Sequence, residues 1–426
     1  MHGNEGDPVS APRIARRSRS WLALRLVALA LLATACGSAG AEGAAVPRAI
    51  VPDPSPSLAP SATAAAVSPS VTPAVVGVAF APLCTDLQML SSWSLSRRAA
   101  QLVVVPVDET DVAAVAASVR AGAGGVILFG NAAPQDLGTQ VQALVAQAPA
   151  GLVPLVMTDE EGGGVQRMAN LVGSMPWPAT AAATMSPEEV REMAERVGRL
   201  MVQNGVTMDL APVLDLASGP GPDALHTDGP RSFGLSPQTA TTHGLAFAEG
   251  LEAAGVTPVV KHFPGEGQAS ANTDDGPAST PPLAALEKAD LLPFEAAVSA
   301  GLPAVMVGNA TVPGLSVMPA SLSAAVVTGL LRQQLGFQGL VLTDSLSAAA
   351  ISSLGISVPQ AAEEAVAAGA DMVLFTSTNA DTTFQSVVGE LVTAVSTGKL
   401  PVTTLNAAVA EGLPAKGVGL CRPPRP

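Results

Sequence analysis

Short apolar runs alternate with helical segments over most of the chain beyond residue 84, and this alternation limits the fold more than any other feature. Eight runs, several of them rich in Val, Ile and Leu, are candidate strands: 103–107, 125–129, 152–158, 206–211, 256–260, 304–307, 339–343 and 372–375. Continuous apolar runs of this length indicate strands that are buried on both faces, as in a parallel sheet covered by helices.

The segments between these runs have helical character, because Ala, Leu, Glu and Arg recur in them at helix-compatible spacing. The candidate helices are 111–121, 135–147, 187–204, 237–254, 284–300 and 359–368. Regular alternation of helices with eight strands predicts an α/β fold of the closed (β/α)8 type, a TIM-like barrel in one domain. An open doubly wound sheet is the alternative that periodicity alone leaves open.

The amino terminus has the features of an export signal. Five arginines lie within residues 13–25, an apolar run at 22–32 is too short to span a bilayer, and Ala33-Thr34-Ala35-Cys36 follows it. Small residues directly before a Cys resemble a bacterial lipobox, in which Cys36 receives the lipid. We interpret residues 1–36 as a signal peptide and expect an exported protein, lipid-anchored to the extracytoplasmic face of the cell membrane. An ordinary secretory signal, with Cys36 incidental, is the alternative.

The next segment, 37–82, consists mainly of Ala, Pro, Ser, Thr and Val. Such a composition buries too little surface to offset its ordering entropy, so we predict a disordered tether. The barrel domain is expected at 83–421, followed by a tail at 422–426. Cys84 and Cys421 lie at the two ends of that domain, and an oxidising compartment would allow them to form a disulfide. Two unpaired buried thiols are the alternative.

Charge and motif content disfavour several classes of protein. The formal net charge is −14, which argues against a nucleic-acid partner because phosphates require a basic surface. No Cys/His ligand set is evident, and no Gly-rich phosphate-binding loop follows the first predicted strand. We therefore expect no metal and no cofactor. The sequence does not fix the oligomeric state, and a monomer is the default expectation.

Polar residues cluster where the predicted strands end. Five of the eight runs are followed by such residues: Asp159-Glu160-Glu161, Asp215, Lys261-His262, Asn309 and Asp344. In a (β/α)8 barrel the carboxyl ends of the strands form the rim where catalytic groups are assembled. The pattern predicts an active site or a ligand-binding site at this rim.

Several ordered motifs resemble those of glycoside hydrolase family 3. They are D-E-E-G-G-G-V-Q-R at 159–167, G-P-R-S-F-G at 229–234, K-H-F-P-G-E-G at 261–267 and L-T-D-S-L-S at 342–347. The resemblance covers about Cys84 to Cys421. It is strongest to the single-domain β-N-acetylhexosaminidase branch, especially to the lipoproteins of actinobacteria.

The resemblance implies a function and a role for each matched residue. Asp344 matches the nucleophile of a retaining glycosidase that removes terminal β-linked N-acetylglucosamine from peptidoglycan fragments. The chain contains no Tyr, which removes the exception of a Tyr nucleophile. Asp159 is expected to accept hydrogen bonds from sugar hydroxyls, and Arg231, Lys261 and His262 are expected to donate to the sugar. Taken singly, Arg231 or Lys261 would more often form an ion pair at the barrel rim.

The loop that carries the acid/base in this branch departs from the family pattern. Where relatives have Asp-Ser-His, this chain has Asn272, Thr273 and Asp274, and Glu266 replaces the second His of the K-H-F-P-G-H-G motif. Three outcomes are open: Asp274 acts as the proton donor, Glu266 does, or neither does. In the third case the chain is a sugar-binding envelope lipoprotein that has lost its acid/base.

The lipobox interpretation gives a direct prediction about location. Cys36→Ala removes the thiol that the lipid would modify, so the protein should move from the membrane fraction into the medium. Fractionation of cells followed by immunoblotting measures this, with Cys421→Ala as the control that should leave the location unchanged. Continued membrane association of Cys36→Ala would contradict the interpretation.

Overall fold

A computed structural model of the chain describes residue 90 and residues 92–149, 152–223 and 228–417. Its centre is a barrel of eight parallel strands: β1 Val103–Asp108, β2 Gly125–Phe129, β3 Leu155–Thr158, β4 Met208–Asp209, β5 Thr257–Phe263, β6 Ala304–Val307, β7 Leu340–Ser345 and β8 Met372–Leu374. Each strand pairs with its neighbours in chain order, and pairing of β1 with β8 closes the ring. The predicted (β/α)8 barrel is confirmed, and the open doubly wound sheet is excluded.

The apolar runs are explained by burial on both faces of each strand. Val104 belongs to an apolar cluster inside the barrel, together with side chains such as Met157 and Met306. Its neighbours Val103 and Val105 belong to the larger apolar cluster between the strands and the helices. Because alternate residues of a strand point to opposite faces, both faces need apolar side chains here.

Helices surround the barrel. They are Leu95–Ala100, Ala116–Arg120, Leu137–Val145, Ala169–Val172, Pro178–Thr184, Pro187–Gln203, Pro237–Ala254, Leu283–Leu286, Leu291–Ser299, Ala349–Ser352, Val358–Ala368, Ala380–Ser396 and Val402–Ala415, with 3-10 turns at Val112–Val115, Gly229–Arg231 and Ala320–Leu322 and a π-type helix at Ala325–Gln334. The predicted helix 284–300 is in fact two helices. Pro293 is the reason, because proline is tolerated in the first turn of a helix but not in its interior.

Two of the differences between predicted and observed strands affect the site. β4 covers only Met208–Asp209, and the chain then runs alongside β5, where Val213 bridges to Lys261. β5 extends to Phe263, so Lys261 and His262 lie within the strand rather than after it. Two polar side chains interrupt the apolar pattern there, although the backbone continues to pair.

Some predictions concern residues that the structure does not describe. The signal peptide, the tether, the carboxyl-terminal tail and the three cysteines Cys36, Cys84 and Cys421 all lie outside the described residues. Within the described part of the chain, no helix is both long enough and apolar enough to cross a membrane.

Candidate active site

A cavity of about 540 Å³ opens over the carboxyl ends of the strands. Seven residues singled out from the sequence line it together: Asp159, Arg231, Lys261, His262, Glu266, Asp274 and Asp344. They come from β5, β7 and the loops that follow β3, β4 and β5. The closed barrel thus brings residues that are up to 185 positions apart in the sequence into a single site.

Asp344 is the last but one residue of β7 and is half-buried at the cavity wall. Its Oδ1 accepts a hydrogen bond of 2.6 Å from the backbone N–H of Ser345. Ser347, three positions further on, bonds to both the carbonyl oxygen and the N–H of Thr376, at 2.7 Å and 3.2 Å. These bonds connect the loop after β7 to the loop after β8, so the surroundings of the Asp344 carboxylate are fixed by backbone contacts.

Lys261 lies at the centre of a buried ionic network. Its Nζ is 2.8 Å from Oδ1 of Asp159 and 2.6 Å from Oε1 of Glu161. Arg167 approaches the other oxygen of Asp159 at 3.3 Å. Burial alone would raise the pKa of Asp159, but the positive charges of Lys261 and Arg167 lower it. Burial would likewise lower the pKa of Lys261, and the two carboxylates raise it, so all three groups are charged at neutral pH.

Arg231 extends the same network. Its Nε and Nη2 each donate to Glu161 at 2.7 Å, and its Nη1 donates to Asp228 at 3.1 Å. A bidentate pair of this kind fixes the plane of the guanidinium group. The ion pairs considered from the sequence as an alternative role for Arg231 and Lys261 are therefore present, and both side chains still line the cavity.

His262 is oriented by Asp215, which follows β4. The Nδ1 atom of His262 is 2.6 Å from Oδ2 of Asp215, and the backbone N–H of His262 donates to the same oxygen at 3.0 Å. Burial would lower the pKa of His262, but the charge and the hydrogen bond of Asp215 raise it to about 9. The imidazole is thus a cation at neutral pH and presents a donor to the cavity.

Asp228 completes a buried trio with Asp215 and His262, whose potential metal-binding atoms lie within 4.8 Å of one another. In this structure each carboxylate already meets a cationic partner: Asp215 bonds His262, and Asp228 bonds Arg231. Burial and the neighbouring Asp215 raise the pKa of Asp228 to about 7. The trio therefore serves to position His262 and Arg231 at the cavity.

Glu266 is almost fully buried beneath the cavity. Its Oε1 accepts a 2.6 Å hydrogen bond from the N–H of Ala310, and its own N–H donates to Asp215 at 2.7 Å. The carboxyl group occupies the space above Gly308, where a Cβ atom would come within 2.2 Å of Oε1. Burial raises the pKa of Glu266 to about 8, so this side chain is mostly a neutral acid at pH 7.

Asp274 occupies a different position, on an exposed part of the loop after β5 that borders the cavity. The loop is held by its backbone. The N–H of Ala350 donates to the carbonyl oxygen of Thr273 at 2.9 Å, and the N–H of Ala349 donates to the carbonyl oxygen of Asp274 at 3.4 Å. Desolvation by the surrounding protein, followed by the negative charge of Asp344, raises the pKa of Asp274.

Other polar residues near the rim have structural roles. Glu160 is buried and accepts hydrogen bonds from the N–H of Met168 at 2.5 Å and from Gln166 at 2.9 Å, which braces the loop that carries Asp159. Asn309 donates to the carbonyl oxygen of Ser345 at 2.9 Å and accepts from Ser321 at 2.6 Å.

The sequence placed Glu161 among the polar residues at the rim without giving it a contact, and it did not single out Asp228. Glu161 is one of three consecutive acids, and no sequence signal separates it from its neighbours. Asp228 lies in a loop without periodicity.

The geometry defines a class of protein. The rim of the barrel carries one carboxylate on a strand end, a second carboxyl group on an adjoining loop, and fixed cations and anions between them. Such an arrangement is typical of a glycosidase, which orients a sugar by charge-assisted hydrogen bonds and cleaves the glycosidic bond with two carboxyl groups.

Comparison with known proteins specifies the family. Residues 94–411 match the model of the glycosyl hydrolase family 3 N-terminal domain. The chain belongs to this family and is therefore a glycoside hydrolase. Beta-hexosaminidase LpqI of Mycobacterium tuberculosis is 39% identical over 329 residues, which are 75% of this chain and 81% of that relative. A beta-hexosaminidase of Stenotrophomonas maltophilia is 34% identical over 258 residues, covering 59% and 75%.

Solved structures agree with this assignment. The M. tuberculosis LpqI structure superposes with a TM-score of 0.72 at 35% identity and covers 79% of this chain and 98% of that one. The beta-N-acetylhexosaminidase structure from Beutenbergia cavernae has a TM-score of 0.69 at 30% identity, with coverage of 76% and 99%.

The environment of Glu266 predicts a stability effect with a defined pH dependence. An acid whose pKa is about 8 when folded and 4.5 when unfolded makes the protein lose stability as pH rises from 4.5 to 8. Glu266→Gln keeps the acceptor for Ala310 and has no proton to bind, so it should raise the free energy of unfolding at pH 7 by about 3 kcal/mol.

Urea denaturation at pH 4 and at pH 7 measures this effect. The gain should disappear at pH 4, and Glu287→Gln at an exposed position should show no such pH-dependent gain. Destabilisation by Glu266→Gln at pH 7 would contradict a neutral Glu266.

Proposed function

We propose that this chain is a retaining β-N-acetylhexosaminidase that removes terminal β-linked N-acetylglucosamine from peptidoglycan fragments. The observation that carries the proposal is the position of Asp344, whose carboxylate ends β7 in the same cavity as the charged network around Lys261. The names of the relatives, beta-hexosaminidase and beta-N-acetylhexosaminidase, support the class of substrate.

The charged network supplies the means of binding the terminal sugar. Asp159 provides an ionised acceptor for sugar hydroxyls, and the cationic His262 provides a donor. Lys261 and Arg231 are rigidly held between Glu161, Asp159 and Asp228, so little rotational entropy is lost when they contact the sugar. Fixed donors and acceptors of this kind orient the anomeric carbon above Asp344.

In the first step a carboxylate oxygen of Asp344 forms a bond to the anomeric carbon while the bond to the leaving oxygen breaks. The leaving oxygen takes a proton from the acid and departs as an alcohol. In the second step water attacks the same carbon, the acid residue in its ionised form takes a proton from that water, and the ester bond to Asp344 breaks. Two inversions give net retention.

Asp274 is the proposed proton donor in place of the histidine of the family pattern. Desolvation and Asp344 raise its pKa, which favours the protonated state that the first step needs. Its exposure gives it access to the leaving oxygen and to the incoming water. Glu266 is less suited, because it is almost fully buried and its carboxyl group is bonded to the backbone of Ala310.

The amino-terminal segments support the proposed setting. Residues 1–36 support export and lipid anchoring through Cys36, and residues 37–82 support a tether that holds the barrel away from the membrane. A muropeptide or another glycan with terminal β-linked N-acetylglucosamine is then within reach of a monomeric enzyme, without nucleic acid or cofactor as a partner.

Removal of the nucleophile gives the first test of the mechanism. Asp344→Ala should lower kcat/KM on nitrophenyl N-acetyl-β-glucosaminide by at least about a thousandfold, because no glycosyl ester can form. Added azide should restore turnover and yield the α-linked glycosyl azide, since azide then attacks from the side that the Asp344 carboxylate occupied. NMR of the product identifies the anomer. Asp136→Ala, at an exposed position outside the site, is the matched control, and full activity of Asp344→Ala would refute the assignment.

Substitution of Asp274, the proposed proton donor, should change the kinetics differently from substitution of Asp344. Asp274→Ala should slow hydrolysis of N-acetylglucosamine disaccharides about 10²–10⁴-fold, and hydrolysis of the nitrophenyl sugar far less, because only the natural leaving group needs a proton. Azide should give the β-linked azide. In the parent, kcat/KM for the disaccharide should fall as pH rises through the raised pKa of Asp274, and this decline should be absent in Asp274→Ala.

Glu287→Ala is the control for this test, because Glu287 is exposed and does not line the cavity. If Asp274→Ala cleaves both substrates at the parental rate, Asp274 is not the acid and Glu266→Gln is the next variant to assay.

A further inference from the structure

A second cavity, of about 410 Å³, adjoins the first at the barrel rim. It lies over the carboxyl ends of the neighbouring strands β8, β1 and β2. Phe129 at the end of β2 and Thr376 after β8 line both cavities, so the two spaces share a wall. A ligand that fills the first cavity has a continuous path over these two side chains into the second.

The residues of the shared wall and of the second cavity are suited to contact a sugar ring. Phe129 is the only aromatic side chain among the described residues that line the first cavity, and the guanidinium of Arg167 lies 5.5 Å from the centre of its ring. Beyond it, Pro106 and Val107 offer aliphatic surface, and Thr376 and Thr378 are exposed hydroxyl residues. Aliphatic and aromatic surface beside hydroxyl groups suits the apolar face and the rim hydroxyls of a pyranose.

The charge of the second cavity differs sharply from that of the first. Asp108 is the one charged side chain among its described lining residues, and its Oδ1 accepts hydrogen bonds from the N–H and the hydroxyl of Thr110 at 2.8 Å and 2.6 Å. No Lys, Arg or His is among the described residues that line the second cavity, and Arg167, which lines the first cavity beside Phe129, forms an ion pair with Asp159. A ligand carboxylate placed here therefore meets a negative charge without a cation to offset it.

We propose that the second cavity binds the sugar residue that leaves in the reaction, and that it favours a neutral leaving sugar over one with a free carboxylate. The inference rests on the proposed function, which places the terminal sugar in the first cavity. A muramyl sugar whose lactyl carboxyl is joined to a peptide has no charge at that carboxyl, whereas the free muramyl acid has one. The enzyme should accordingly prefer the peptide-bearing form.

Filling the cavity tests the binding of the leaving sugar. Thr378 is exposed at its edge and is not part of the catalytic machinery. Thr378→Trp should lower kcat/KM for the N-acetylglucosamine disaccharide by about tenfold or more, while N-acetyl-β-glucosaminyl fluoride should change by less than about twofold, because fluoride is too small to reach the second cavity. Thr139→Trp, in an exposed surface groove elsewhere on the barrel, is the matched control.

Removing the charge tests the selectivity. Asp108→Asn keeps an oxygen that accepts from Thr110, so the fold is preserved. It should shift the ratio of kcat/KM for the muramyl acid over the neutral disaccharide about threefold to fivefold in favour of the acid, with a smaller shift at high salt.

Three results distinguish the possibilities. Failure of the parent to cleave the fluoride would refute the proposed function itself. An equal loss on the fluoride and the disaccharide in Thr378→Trp, or no loss on either, would overturn the second cavity as the leaving-sugar site. An unchanged ratio in Asp108→Asn would overturn the selectivity, and this variant remains informative if Thr378→Trp does not fold.

Discussion

The ammonium group of Lys261 between two carboxylates is the interaction on which the rest of the site depends. Buried charges are tolerated only when opposite charges and hydrogen bonds compensate their desolvation. Lys261 forms ion pairs with Asp159 and Glu161. Glu161 also pairs with Arg231, and Arg231 pairs with Asp228. Removal of one member leaves its partner buried without compensation, so the network holds side chains from β5 and from the loops after β3 and β4 in one arrangement.

The same network separates the carboxyl groups of the site by their state of protonation. Asp159 and Glu161, which both touch Lys261, have lowered pKa values, whereas Glu266, whose carboxyl group bonds to the backbone N–H of Ala310, has a pKa of about 8. The pKa of Asp274 is also raised, by desolvation and by the negative charge of Asp344. One small cavity therefore contains ionised carboxylates beside Glu266, which holds a proton at neutral pH, and carboxyl groups in different protonation states are what acid/base chemistry requires.

The barrel could be predicted from the sequence because each strand is apolar on both faces. Asp159 and Asp344 could be predicted as site residues because each marks the point where such a run ends. The extension of β5 through Lys261 and His262 could not be predicted, since polar side chains interrupt an apolar run whether or not the backbone continues to pair. Nor could the role of Glu161, because its partners lie 70 and 100 residues away and only the closed barrel brings them together.

The loop that carries Asp274 is attached to the barrel by its own carbonyl oxygens, which accept from the N–H groups at the start of the helix after β7. That attachment does not involve the side chain at position 274. A carbonyl oxygen is the same in every residue, so the histidine of the family pattern and the aspartate of this chain can occupy one anchored backbone position. The helix that follows Asp344 provides the anchor, and the loop is thereby fixed relative to β7. Under the proposed mechanism, an exchange of proton donors at this position needs only a change of side chain and of local pKa, while the backbone contacts keep the loop in place beside β7.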